Sequence, residues 1–239
     1  MIGWIIDSIF AGIIGFIVSG FIGWMISNRK YLRIKFNTLY HMNEDYRISF
    51  AYLFRIKVNN KYLLIKGNRI NQYQPVGGVY KYFSSFNEIK NELDILDEKD
   101  SDFYESNDLR IFVKGKNVIK ILKWIEAGKN RECDHLRELY EELLLPGYVD
   151  FNVLENIKLE FLKRYNSGVH YSNHFKCKEI LIFDVIDLSG IESEIEKIIN
   201  SDRNVNRNLV LVDVEDIERE CFMMDGLSTK IGAHCKIIK

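Results

Sequence analysis

Hydrophobic positions fall into two regimes along this chain. From Ile9 to Ile26 the run IFAGIIGFIVSGFIGWMI carries no charge, whereas beyond Ser27 apolar residues alternate with charged ones in short segments. As a helix the run spans about 27 Å, close to the roughly 30 Å hydrocarbon core of a bilayer, and the preceding MIGWII supplies the remainder. Trp4 and Trp24 stand near its two ends, Arg29, Lys30, Arg33 and Lys35 follow at once, and no basic side chain precedes it. This pattern predicts one transmembrane helix over 1–28, a basic juxtamembrane connector over 29–44, and a body over 45–239 on the cytoplasmic side. The basic start and small-residue cleavage site of a signal peptide are missing. Ala11, Gly15, Ser19 and Gly23 recur every fourth residue. They form a stripe along which helices approach closely in lipid, so self-association is expected. Asp7 is either a further polar contact or a residue at the outer headgroups.

In the body, Ser49–Val58 and Tyr62–Lys66 alternate as strands around NNK, Asn59–Lys61, a hairpin signal. Pro75 and the pair Gly77–Gly78 mark a tight backbone feature. Glu88–Asp100 reads as a charged helix and Asp108–Val113 as a strand. Val118–Ala127 has helical spacing with Gly128 as its stop, and a second helix should run from about Glu132 to Leu144, ended by Pro146–Gly147. LENIKLEFL and KEILIFDVIDL read as strands, and IESEIEKIIN as a helix with Ile191, Ile195, Ile198 and Ile199 on one face. NLVLVDV is another strand, and EDIEREC opens a last helix. Strands and helices alternate throughout, which predicts an α/β fold around a mixed sheet.

Composition adds two exclusions. The formal charge of −1 over 239 residues gives no general footprint for a nucleic-acid polymer. Cys133, Cys177, Cys221 and Cys235 form no CxxC pair and no zinc-ligand spacing, which fits a reducing compartment without a disulfide framework.

The chemistry concentrates in LRELYEELLLPG, Leu136–Gly147. Glu138, Glu141 and Glu142 stand at i, i+3 and i+4 and project from one helical face. Three like charges so close repel, and a hard divalent ion such as Mg²⁺ or Mn²⁺ would remove that repulsion, bridge phosphate oxygens and orient a water. Arg137 can brace the carboxylates while Leu136, Leu139 and Leu143 face the sheet. Taken alone, the same pattern also describes a solvated acidic face.

RELYEEL, with QPVGG upstream and AGKNRECDHLRELYEEL running into it, resembles the box of the Nudix family. The resemblance implies a Nudix-like α/β/α sandwich over roughly 45–239, with Glu138, Glu141 and Glu142 as metal and catalytic residues if the domain is hydrolytic. Three departures bear on hydrolysis. Lys129 stands where the family usually has a glutamate, Leu144 where it usually has a glycine, and about fifty residues separate Gly78 from Gly128. A cation at 129 would weaken metal binding or attract a ligand phosphate.

DLRIFVKGKNVIKILKWIEAGKNRE, the later YNSGVHYSNHFKCKEILIFDV and the apolar N-terminus are together similar to the Nudix-type membrane effectors of bacterial cyclic-oligonucleotide antiphage signalling (CBASS). That resemblance implies a single-pass inner-membrane effector. Its domain would sense a cyclic nucleotide made by a CD-NTase, and it would assemble as a homo-oligomer and disrupt the lipid bilayer. No cofactor is required for sensing; Mg²⁺ or Mn²⁺ is implied only by hydrolysis. Residues able to meet such a ligand are Lys129, Arg131, Arg164, Tyr165, His170, Tyr171 and His174, the tyrosines by stacking on a base. Structural hydrogen bonding is the alternative reading for the two histidines. Glu160 and Glu179 are candidates for a distant general base, with strand-edge surface charge as the alternative. The competing functions are a membrane-tethered Nudix hydrolase of a nucleoside diphosphate derivative and a membrane adaptor with a structural Nudix fold.

Overall fold

The computed structural model describes residues 2–67, 70–98, 107–201 and 207–239, with side chains from Gly15 onward except Ser201. Helix α1 (Ile2–Ser27) and helix α2 (Arg29–Tyr40) are separated by Asn28 alone. The helical ladder runs across that residue: Asn28 N donates to Trp24 O and Leu32 N to Asn28 O, each at 2.9 Å. Among the described residues no helix is long and apolar enough to cross a membrane. The expected span reaches back over residues 1–14, whose side chains, with that of Ala11, lie outside the described set. Within the expected small-residue stripe, Gly15 and Gly23 have open space around them, and Ser19 Oγ donates to Phe16 O at 3.0 Å.

The expected connector is largely helix α2, docked on the body. Ile34 and Thr38, one turn apart, are buried. Asn37 Oδ1 accepts from Tyr46 Oη at 2.7 Å. Gly115 is needed opposite them, because a Cβ there would run into the carbonyls of Thr38 and His41.

The body is built on strand β1 (Asp45–Val58). It joins β2 (Lys61–Lys66) through the two-residue turn Asn59–Asn60, whose φ values of 49° and 65° suit asparagine and match the twist of a tight hairpin. β1 also pairs antiparallel with β4 (Gly77–Val79) and β6 (Arg110–Lys114), and parallel with β9 (Cys177–Ser189). β9 carries β7 (Lys158–Asn166) and β8 (His170–Ser172) on its other side, and β10 (Leu209–Val212) adds to β2. With the short β3 (Tyr73–Gln74) and β5 (Leu96–Asp97), ten described strands form one mixed, mostly antiparallel sheet.

Alternation along β1 separates two cores. Tyr46, Ile48, Phe50, Tyr52, Phe54 and Ile56 belong to the larger one, with Val118, Ile121, Leu122 and Ile125 of α4 (Gly115–Ala127). Leu53 belongs to the second, with Tyr73, Val185, Ile217 of α7 (Val214–Arg219) and Cys235. Helices therefore cover both faces, as an α/β/α sandwich requires. Gly128 ends α4 at φ 65°, as its sequence predicts.

Two helices differ from expectation. α3 spans Phe86–Leu93 and stops at Asp94, which turns left-handed at φ 53°, and β5 follows; the end of the expected helix, residues 99–100, lies outside the described residues. The helix expected from Glu132 begins at Leu136. Arg131 bridges to Tyr82 and Glu132 N donates to Lys81 O at 2.7 Å, so residues 131–132 are held as extended backbone.

Candidate functional site in the glutamate helix

The short α-helix α5 (Leu136–Leu139) widens into a π-turn over Tyr140–Leu144, where Leu145 N reaches Tyr140 O at 2.7 Å. Such widenings are frequent at functional sites. Leu139, Leu143 and Leu144 are buried, while Leu136 is 41% exposed, so Leu144 takes the inward position expected of Leu136. An extra residue in the turn accounts for this change of phase.

The opposite side of the helix meets the glycine pair. Gly77 lies so close to β1 that a Cβ would strike Tyr52 O, and a Cβ on Gly78 would overlap the Glu138 carboxyl. Gly77 thus requires glycine for close approach to backbone, whereas at Gly78 the neighbour is the end of a side chain. Gly77 N donates to Glu142 Oε2 at 3.1 Å. Arg137 braces the neighbours, as expected: Nη1 donates to Glu138 Oε1 at 2.7 Å and Glu141 Oε2 at 3.2 Å, and Nε to Glu132 Oε1 at 3.1 Å. Its Nη2 donates to Val79 O at 3.0 Å, fixing the guanidinium against β4. Burial works against the charge of Arg137, but Glu132 and Glu138 outweigh it and hold its pKa above the ordinary value.

The Glu142 carboxyl is the one set into the wall beside Gly77. Burial, helped by Glu138 and Glu141, pushes its pKa up to about 8 against the single opposing bond from Gly77. A cavity of about 750 Å³ opens beside Glu138, Glu141 and Glu142, lined also by Lys66, Asp108, Arg110 and Tyr148. These carboxylates are the oxygen donors available there to a hard cation. Among the described residues no group of three or more His, Cys, Asp or Glu is gathered as a ready metal site.

None of the seven residues expected to meet a nucleotide lines this cavity. Arg131 is buried and caps α4: Nε and Nη2 donate to Ile125 O at 3.3 and 3.2 Å, and Nη1 to Glu132 O at 2.8 Å. Arg164 is clamped by Asp184, with Nε to Oδ1 at 2.6 Å and Nη2 to Oδ2 at 2.9 Å. Both guanidinium groups lie over Phe50, at 4.8 and 5.1 Å. Asp184 also accepts from Tyr80 Oη at 2.9 Å, and Tyr80 Oη is 2.7 Å from His135 Nε2. Burial, then Asp184, hold the Tyr80 hydroxyl far above its ordinary pKa, and burial lowers that of His135. This network ties β9 to the residue that begins the glutamate helix. Sequence reading missed it, although Asp184 gave a signal as a charge on the inward phase of LIFDVIDL.

The other expected residues lie elsewhere. His170 Nε2 is 3.1 Å from Glu179 Oε2, and Glu179 joins Glu98 around the buried Arg47, on whose guanidinium Phe175 stacks at 3.9 Å. Glu179 is thus an ion-pair partner in a buried cluster rather than a surface charge. His174 meets Phe175 edge-on, Tyr171 and Lys129 are exposed, and Lys30 lies 5.8 Å over Tyr165. Glu160 is exposed on β7.

A family model for the SMODS-associated NUDIX domain matches residues 45–239. The chain belongs to this family. No curated protein and no solved structure matches it. The family places the chain in an SMODS/CBASS-type, antiviral-defence context.

Proposed function

We propose that the chain is a CBASS effector whose Nudix-like cavity receives a cyclic nucleotide second messenger. Binding drives assembly of copies held in the inner membrane by α1, and the assembly breaches the bilayer. The observation that carries the sensing step is the internal neutralisation of the box. Arg137 already engages Glu138 and Glu141, and Glu142 holds its proton near neutral pH. A cavity so arranged repels phosphate less than three free carboxylates would; Lys66 in its wall supplies positive charge, while Arg110 is paired there with Asp108 at 3.0 Å. The charge-free run from Ile9 to Ile26 and the basic residues after it support the anchoring, with the body cytoplasmic. A ligand that favours the assembled state shifts the population by its differential affinity. The test is full-length protein in dye-loaded liposomes, challenged with cyclic di- and trinucleotides. Binding of one of them with dye release is expected; no binding and no release with any of them sinks the reading.

A second reading, a membrane-tethered Nudix pyrophosphohydrolase, is favoured by the presence of all three glutamates on the cavity wall. Glu138, Glu141 and Glu142 would hold Mg²⁺ or Mn²⁺, which polarises the phosphate and activates water when bound. Turnover of a nucleoside diphosphate derivative that needs Mg²⁺ or Mn²⁺ and is abolished by Glu142→Gln would establish it. Metal-independent binding without turnover would count against it.

A further inference from the structure

Helix α2 presents an apolar seam that the body leaves uncovered. Leu32, Phe36 and Leu39 recur at i, i+4 and i+7, with Phe36 70% and Leu39 50% exposed. At about 100° per residue they lie on the side of the helix opposite Ile34 and Thr38, the two positions buried against the body. Because the hydrogen-bond ladder crosses Asn28, the seam keeps its phase into α1. Going backwards, Arg29, Met25, Ile22, Val18 and Gly15 continue the same 4-3 alternation, and Val18, Ile22 and Met25 are exposed. On α2 the spacing of the half-buried Leu32 and the exposed Phe36 and Leu39 is that of a helix pairing along its length with another helix; on α1, where Gly15–Ile26 is uncharged and exposed throughout, the phase is carried by the continuous ladder.

We infer that this seam is the contact between copies of the chain, packed as parallel helices through α1 and α2. The inference deepens the proposed function, resting on it for the assembly and adding its interface. A second copy in parallel is the occupant that fits along the whole seam. Lipid can cover α1, but α2 extends past the charge-free run and bears Arg29, Lys30, Arg33 and Lys35 with no acidic residue. An antiparallel copy would lay those cations on the apolar half. The parallel arrangement sets Phe36 on Phe36, keeps Lys30 on the far side and places Arg33 and Lys35 at the solvent-facing edges of the seam. Arg29 is the one charged position within it, at the end of the apolar run, where a polar residue fixes register.

Disulfide trapping tests the contact in full-length protein reconstituted in liposomes, in a Cys133→Ser background. Leu32→Cys, Phe36→Cys and Leu39→Cys should form linked dimers several-fold more than Arg33→Cys and Lys35→Cys, which are exposed and flank the seam. Equal yields at all five positions, or none at any, overturn the inference. So does shielding of the seam cysteines from maleimide by vesicles without cross-linking, because lipid would then be the occupant. As a second measurement, Phe36→Lys with Leu39→Lys should lower the assembly mass by light scattering in detergent; an unchanged mass overturns it. Nucleotide-triggered dye release is read in parallel. Seam-specific cross-links without release sink the proposed function and leave the interface standing, while release without cross-links does the reverse.

Discussion

Replacing Glu142 by glutamine removes one titrating carboxyl from a buried place, and the consequence depends on pH in a defined direction. The carboxyl titrates near its ordinary 4.5 in the unfolded chain and at about 8 in the fold. Its folded pKa is raised, so the protonated form is the one the fold favours. That stability is fully present below pH 4.5 and is lost as pH rises through 8. At about 1.4 kcal/mol per pH unit, wild type is penalised by roughly 1 kcal/mol at pH 5.5 and roughly 4 kcal/mol at pH 8.5. Glutamine carries no charge at either pH and can still accept from Gly77 N. Glu142→Gln should therefore gain about 3 kcal/mol relative to wild type between pH 5.5 and 8.5. In a domain of this size that corresponds to roughly 6–12 °C of melting temperature. The assay is thermal unfolding of the full chain in mild detergent without divalent cations, followed by tryptophan emission. Trp124, stacked on Phe86 at 4.1 Å, reports the core. A difference between variant and wild type that is the same at pH 5.5 and 8.5 would refute the reasoning, because the carboxyl would then be ionised throughout.

Three further outcomes follow from the geometry. Gly78→Ala pushes a methyl group into the Glu138 carboxyl and should weaken Mn²⁺ binding about 10–100-fold, measured by calorimetry, with little change in melting temperature because a side-chain end gives way. Asp184→Asn leaves Arg164 without its carboxylate beside Tyr80 and should cost about 3–5 kcal/mol in denaturant unfolding; a loss below about 1 kcal/mol would show the network to be dispensable. Arg131→Met keeps the apolar contact with Phe50 but removes the cap on α4; about 2 kcal/mol of stability should go while nucleotide affinity stays, and selective loss of affinity would restore Arg131 as a ligand residue.

What could be read from the sequence was whatever short-range chemistry decides. Asn59–Asn60 announced the β1–β2 hairpin because two consecutive positive φ values suit few other residues. Gly128 announced the end of α4 for the same reason. The three glutamates and the glycine pair declared one site, since their types and spacing are meaningful only together. The basic residues of 29–44 drew attention away from Ile34 and Thr38, whose spacing of four was the available sign of a docked helix. The late start of the glutamate helix is decided by pairing of residues 131–132 with 81–82, about fifty positions earlier, and nothing local reports it. Arg131 and Arg164 looked like phosphate ligands because charge alone does not reveal a partner. One is consumed by a helix terminus six residues back, the other by a strand neighbour twenty residues on.

The proton on Glu142 also separates the two functional readings. A divalent cation bound by Glu138, Glu141 and Glu142 needs all three ionised, so near pH 7 its binding must expel the Glu142 proton, and cation affinity should climb until pH passes about 8. A nucleotide phosphate received without a cation has the opposite requirement. It meets Lys66 beside a carboxyl that is neutral below pH 8 and negative above it, so its affinity should fall as that proton leaves. The slopes have opposite signs at one residue. Nucleotide affinity measured across pH 6.5 to 9, with and without Mg²⁺, therefore distinguishes a receptor that retains its proton from an enzyme that exchanges it for metal.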